Sequence, residues 1–301
     1  VSPREVTVQA AAVHVPGVDP GRLLASAVGP DLAAGDAHTL LGRKGLLFKE
    51  PAVRLAMCAV HRALGLPPGR PAAPPPGAAG TAVVVSSNLG NVATVADIVG
   101  QVRAGGLRGV SPMQAPNASS NIVASSIAIR YGFTGPNLMV CSGATGGLDA
   151  LRLGALLVRT GRTHRAVVVG TEPDDEVATR LFGADPDRPP LRAAAACVVL
   201  VAADDRPGVR LGDVRRHAPR DTPPAPTGLR FGPVDHVDLA GAVGRTYGAA
   251  GVLGAALAAR WLTDPADRPD GVAAATEATV SCGSTDDGWA SARLTLTGAP
   301  S

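Results

Sequence analysis

Residues Val140–Leu151 read VCSGATGGLDAL, between a strand-like run and an Ala/Leu-rich helical run. A short strand, a glycine-bearing corner and an amphipathic helix make the outline of a nucleophile elbow, a sharp turn that holds one side chain above a helix start. The apex position in that outline is Ala144, which has no reactive group. Cys141 lies three residues earlier, at the end of the strand-like run, and reads as a buried strand thiol. Ser142 reads as a turn hydroxyl bonded to backbone. The Gly146-Gly147 pair reads as a place where another backbone comes close.

Working outward, the chain alternates short β-branched runs with helical ones. TAVVVSS (81–87), LMVCS (138–142), RAVVVGTEP (165–173) and ACVVLVAADD (196–205) read as buried strands, and Val6–Val15 as an opening strand. Residues 50–64, 92–103, NIVASSIAIRYG (121–132) and GGLDALRLGALLVRTG (146–161) read as helices, the last two with glycine stops. This alternation predicts an α/β protein with a mostly parallel sheet covered on both faces. PPGRPAAPPPGAAG (67–80) is too rich in Pro and Gly for regular structure, and HAPRDTPPAPTGLRFGP (217–233) separates a shorter tail. The tail holds a helix, GAAGVLGAALAARWL (248–262), and the strands ATEATVSCG (275–283) and ARLTLTG (292–298). Two units are expected, 1–205 and 206–301.

The 301 residues are enough to bury a real core, and 46% hydrophobic with 18% charged is ordinary for a globular chain. Aromatics are only 3%, so Ala, Val and Leu must build that core. The net charge of +3, from 28 basic and 25 acidic residues, is spread as scattered Arg without interleaved aromatics, which argues against nucleic-acid binding. The four cysteines show no metal-ligand spacing, so no metal and no cofactor is expected, and they read as reduced thiols of a cytoplasmic protein. No apolar run approaches the roughly 18 residues of a membrane span, and no signal peptide is expected.

SPMQAPNASSNIVASSIAIRYGFTGPN (111–137), followed by the elbow, its helix and VVVGTEP (167–173), resembles the N-terminal half of β-ketoacyl synthases. The resemblance implies a thiolase-like layered fold (αβαβα), with a complete N-terminal half and a shortened C-terminal half. Aligning Gly135-Pro136-Asn137 and Gly146-Gly147 puts the family's nucleophilic Cys on Ala144. Ala144-Thr145-Gly146-Gly147-Leu148-Asp149-Ala150 is similar to the motif of the chain-length factors of type II polyketide synthases, which lack that Cys. VGRTYGAAGVLGAAL (243–257) places Arg245 where active synthases carry a His, with Tyr247 two residues on. CGSTDDGWASARLTL (282–296) resembles the closing loop and strand, with Gly283-Ser284-Thr285 in place of Gly-Phe-Gly. The family's His-Gly-Thr-Gly motif has no counterpart, and the stretch between Asp205 and Gly241 is too short for most of the second βαβ unit.

A condensing synthase needs a thiolate and two imidazoles, and this chain supplies none of them at the matching positions. The resemblance therefore implies a non-catalytic, chain-length-factor-like subunit. It would pair with an active ketosynthase, or with itself, in bacterial polyketide or polyene assembly and shape the tunnel for an acyl chain carried by an acyl carrier protein. The family's partner-reaching loop falls on Ser111–Asn121. Met113, Gln114, Pro116, Asn117 and Ser119, together with Phe133, Tyr247 and Ser284, are the expected binding residues. Two alternatives stay open. One is a diverged acyltransferase or cyclase using Cys141, Ser142 or His236 as substitutes; the other is a stand-alone protein that binds an acyl intermediate. His164 and His217 read as loop residues, and Glu172 and Asp149 as structural carboxylates.

Overall fold

The computed structural model describes residues 4–19, 21, 23–24, 30–183, 188–218, 228–231, 235–268 and 274–298. In chain order the elements are β1 (Val6–His14), α1 (His38–Leu41), α2 (Pro51–Ala63), β2 (Ala82–Ser86), α3 (Val92–Gly105), α4 (Ile122–Tyr131), β3 (Asn137–Val140), α5 (Gly146–Arg159), β4 (Arg165–Glu172), α6 (Glu176–Phe182) and β5 (Ala194–Ala202). There follow β6 (Gly208–Leu211), β7 (Arg215–His217), β8 (Gly228–Phe231), β9 (Asp235–Val237), α7 (Leu239–Val243), α8 (Ala250–Thr263), β10 (Glu277–Ser284) and β11 (Gly288–Thr297).

The strands form one sheet in the order β3-β2-β4-β5-β1-β6-β11-β10-β8-β9, with β7 on β11. Among the described residues the parallel ladders are those of β3-β2-β4, a single parallel bridge joins Leu191 to Arg245 outside the strands, and β5 runs antiparallel between β4 and β1. Among the described residues every ladder of the C-terminal half is antiparallel. The expectation of a mostly parallel sheet is corrected here. Continuous apolar runs such as Ala194–Leu200 report burial on both faces, and burial does not depend on strand direction.

Two cores result. Val83 and Val85 of β2, Val167 and Val169 of β4 and Cys197 and Val199 of β5 pack under α1, α2 and α4. Their alternating neighbours Val84, Val168 and Val198 face α5 and α8, whose far side meets Ala278, Val280 and Cys282 of β10 and Ala290, Ala292 and Leu294 of β11. The two central helices touch backbone to backbone: a Cβ on Gly147 would lie 2.8 Å from the Gly251 nitrogen. This is the close approach for which the glycine pair reads in the sequence. The other face of β10 and β11 carries Thr279, Ser291, Arg293 and Thr295, half-exposed or exposed, the alternation of a sheet that faces solvent. Among the described residues the thiolase-like layering thus runs through four layers, helices and sheet in alternation.

Candidate functional site

The elbow sits where β3 hands the chain to α5. β3 ends at Val140, and Gly143–Thr145 form one turn of 3₁₀ helix before α5. Gly143 takes φ +67°, a left-handed conformation that favours glycine. The Asn88 amide clamps it from both sides, accepting from Gly143 N at 3.0 Å and donating to Gly143 O at 3.1 Å. Below the apex, Asp149 in the first turn of α5 accepts from Ser142 Oγ at 2.6 Å and Thr145 Oγ1 at 2.9 Å, with Arg216 of β7 3.6 Å away. A carboxylate in that turn also complements the helix dipole.

Glu172, at the end of β4, is fully buried. It accepts from Asn88 N (2.8 Å), Leu89 N (3.0 Å), Ser87 Oγ (3.1 Å) and Asn88 Nδ2 (3.3 Å). Burial nonetheless outweighs these donors and pushes its carboxyl up to about 7. Glu172 therefore fixes the loop after β2 that in turn fixes the elbow. Opposite stands Tyr247, at φ +42°, whose ring packs on Phe182 of α6 at 4.9 Å between centroids. The Arg245 guanidinium lies 4.2 Å over the same Phe182 ring. Burial raises the Tyr247 phenol, and the negative charges of Asp287, Glu172 and Asp286 add to it.

The apex is Ala144. Its N–H donates to Asp287 Oδ2 at 2.8 Å, across from the turn between β10 and β11. Ser284 Oγ donates to the same oxygen (3.1 Å) and accepts from Asp287 N (3.0 Å). Asn88, Phe182 and Asp287 were not among the expected site residues. Only the Asp-Asp of STDDGW marked the last, and nothing local says where its carboxylate points.

The expected residues divide. Ala144, Tyr247 and Ser284 meet at the elbow. Cys141 does not lie in the strand: it is exposed, one residue past β3, because β3 is the sheet edge and stops early. Its thiol is turned inward, partly buried against the Ser87 carbonyl oxygen at 3.2 Å, and that partial desolvation and then Glu172 raise its pKa. Phe133 is buried with α1, α2 and α4, stacked on Tyr131, and so belongs to the core rather than to the elbow. The Ser111–Asn121 loop packs beside α3, with Asn117 buried and donating to Phe48 O at 2.8 Å, and Met113, Pro116 and Ser119 exposed. Gln114 is half-buried, within 3.5 Å of Gln101. His164 is exposed on Gly77, His217 lies 3.4 Å from Ser291, and His236 falls in β9 with its side chain outside the described residues.

Among the described residues no group of three or more His, Cys, Asp or Glu side chains is arranged to hold a metal ion. Among them, too, no helix is long and apolar enough to cross a membrane.

The family model described as "Beta-ketoacyl synthase, N-terminal domain" matches residues 41–183. No sequence among the curated proteins matches the chain. Solved structures do. The ishigamide ketosynthase/chain length factor superposes with a TM-score of 0.75 at 16% identity, over 99% of this chain and 100% of that one. A type II polyketide synthase acyl-carrier protein in complex with its ketosynthase bound to the hexaketide gives 0.70 at 13%, over 97% and 99%. The ketosynthase from module 1 of the bacillaene synthase of Bacillus amyloliquefaciens FZB42 gives 0.62 at 12%, over 98% and 76%. The chain thus has a ketosynthase-like, thiolase-type fold, and its residues 41–183 match the β-ketoacyl synthase N-terminal domain.

Proposed function

We propose that this chain is a non-catalytic, chain-length-factor-like subunit that pairs with an active ketosynthase in bacterial polyketide or polyene assembly. The observation that carries the reading is the elbow itself: its backbone is held in full by Asn88, Gly143 and α5, while its apex is the methyl group of Ala144. The two nearby substitutes are poorly prepared for attack. A nucleophilic thiol is made by lowering its pKa, whereas that of Cys141 is raised. The Ser142 hydroxyl is spent on Asp149, which cannot serve it as an imidazole would.

Pairing has a surface. β3 is the outermost strand of the sheet, and an apolar groove lined by Pro136, Leu138, Leu153, Leu156 and Leu157 runs beside it. An open strand edge is a template for another strand. The partner would hold the acyl chain on its carrier protein, and the exposed Met113–Ser119 loop would reach toward the partner's tunnel. Co-expression with a ketosynthase of the same producer is expected to give a stable one-to-one heterodimer. A monomer or homodimer that ignores the ketosynthase would overturn the reading.

One observation favours the displaced-nucleophile alternative: Cys141 is exposed at the mouth of the elbow. Acyl-thioester transfer by the purified chain that disappears in the Cys141→Ala, Ser142→Ala double variant would establish it.

A further inference from the structure

We propose that Asp287 is a built-in occupant of the elbow's anion site, so that the chain is closed to acyl chemistry by its own carboxylate as well as by its missing thiol. The inference builds on the non-catalytic reading but makes a separate claim. Acyl transfer at an elbow puts negative charge on a carbonyl oxygen, and backbone N–H groups aimed at that oxygen stabilise it. A group attached at the Cβ of residue 144 would bring an acyl oxygen within reach of that residue's own N–H, at the start of a 14-residue helix. Here that N–H already has an anionic partner, Asp287 Oδ2 at 2.8 Å.

Three further features show that the contact is built in. Ser284 both donates to the Asp287 carboxylate and accepts from the Asp287 N–H, which fixes the aspartate within its turn. Any Cβ at position 143 would overlap the carboxylate, so Gly143 serves the contact as well as the corner. The negative charge of Asp287, with that of Asp286, is also felt at Tyr247 across the site. A carboxylate at a helix start is favourable, and a second anion brought to the same N–H meets like charge. Restoring the thiol alone should therefore not restore acylation.

The test compares Ala144→Cys with Ala144→Cys/Asp287→Ala. Each variant is incubated with an acyl N-acetylcysteamine thioester, and the modified residue is located by peptide mass. In the step read out, the introduced thiolate attacks the acyl carbon and the bond to N-acetylcysteamine breaks. The departing thiolate takes up the proton that the protein thiol released. Acylation at position 144 is expected to be at least tenfold faster in the double variant, while iodoacetamide alkylates both at similar rates. Equal acylation rates, including none in either, would overturn the proposal.

If Asp287→Ala does not fold, Asp287→Asn keeps the volume and removes the charge, and the same comparison applies. A separate readout uses the otherwise unaltered chain. Asp287→Ala or Asp287→Asn should speed hydrogen exchange of the Ala144 amide by tenfold or more without changing the amides in the middle of α5. An unchanged Ala144 amide would also overturn the proposal. Pairing with a ketosynthase should survive the Asp287 variants, so failure of the wild-type chain to pair would count against the subunit reading alone.

Discussion

At the scale of single residues, Gly143 joins two requirements that can be measured apart. Its φ of +67° is costly for any residue with a Cβ, by about 1–2 kcal/mol. The added carbon would also collide with the Asp287 carboxylate. Gly143→Ala should therefore destabilise the chain by about 2–4 kcal/mol in denaturant unfolding. In an Asp287→Ala background the cost should fall toward the dihedral part alone, a coupling that a double-mutant cycle reads directly.

Glu172 makes a second residue-scale prediction. Its carboxyl is raised from the ordinary 4.5 to about 7, with burial as the main cause. Between those values the folded chain keeps a proton that the unfolded chain has released. Stability should therefore fall as pH rises from about 4.5 to about 7 and level off above, by about 3 kcal/mol in all. Unfolding curves across that range should show the slope, and Glu172→Gln should remove it. The sequence marks Glu172 as a strand-terminal carboxylate. Four of its hydrogen bonds come from the loop after β2, more than 80 residues away in the chain, another comes from the Gly248 backbone, and no local pattern announces them.

At the scale of elements, the long helices and buried strands were legible because their signals are local. β-branched runs gave β2, β4 and β5, and apolar spacing gave α2, α5 and α8. The short pieces were not legible. α6 has seven residues, and β6, β7, β8 and β9 have three or four each, too few for a period to show. Yet α6 brings Phe182 to Tyr247 and Arg245. Its start is held by Asp175, whose side chain accepts from Val177 N and Ala178 N. Asp175→Ala should cost about 1 kcal/mol in denaturant unfolding, as the loss of a helix cap does. It should also loosen the ring pair, visible as line broadening of the Phe182 and Tyr247 aromatic signals.

At the scale of the whole molecule, α5 and α8 lie between the two halves of the sheet, and the elbow is built from both halves. Ala144 and Asn88 come from one side, Tyr247, Ser284 and Asp287 from the other. The outward side of the same sheet ends in β3, with Leu156 of α5 52% exposed beside it. If that edge is the pairing surface, Leu156→Glu should weaken the heterodimer at least tenfold in a titration while leaving the melting temperature of the isolated chain within a few degrees. A charge introduced at an exposed site costs little by itself but much in a desolvated interface.

The sequence by itself determined the α/β class, the long elements and the unreactive side chain at position 144, because composition, periodicity and a single residue identity are local properties. Tertiary structure alone decided strand direction beyond β3-β2-β4, the exposure of Cys141, the burial of Phe133 and the seating of Asp287 on the Ala144 N–H. Each of those depends on which distant segments meet, and Ala144 and Asp287 stand 143 residues apart in the chain. Their contact exists only because the two halves of the sheet close on the same pair of helices.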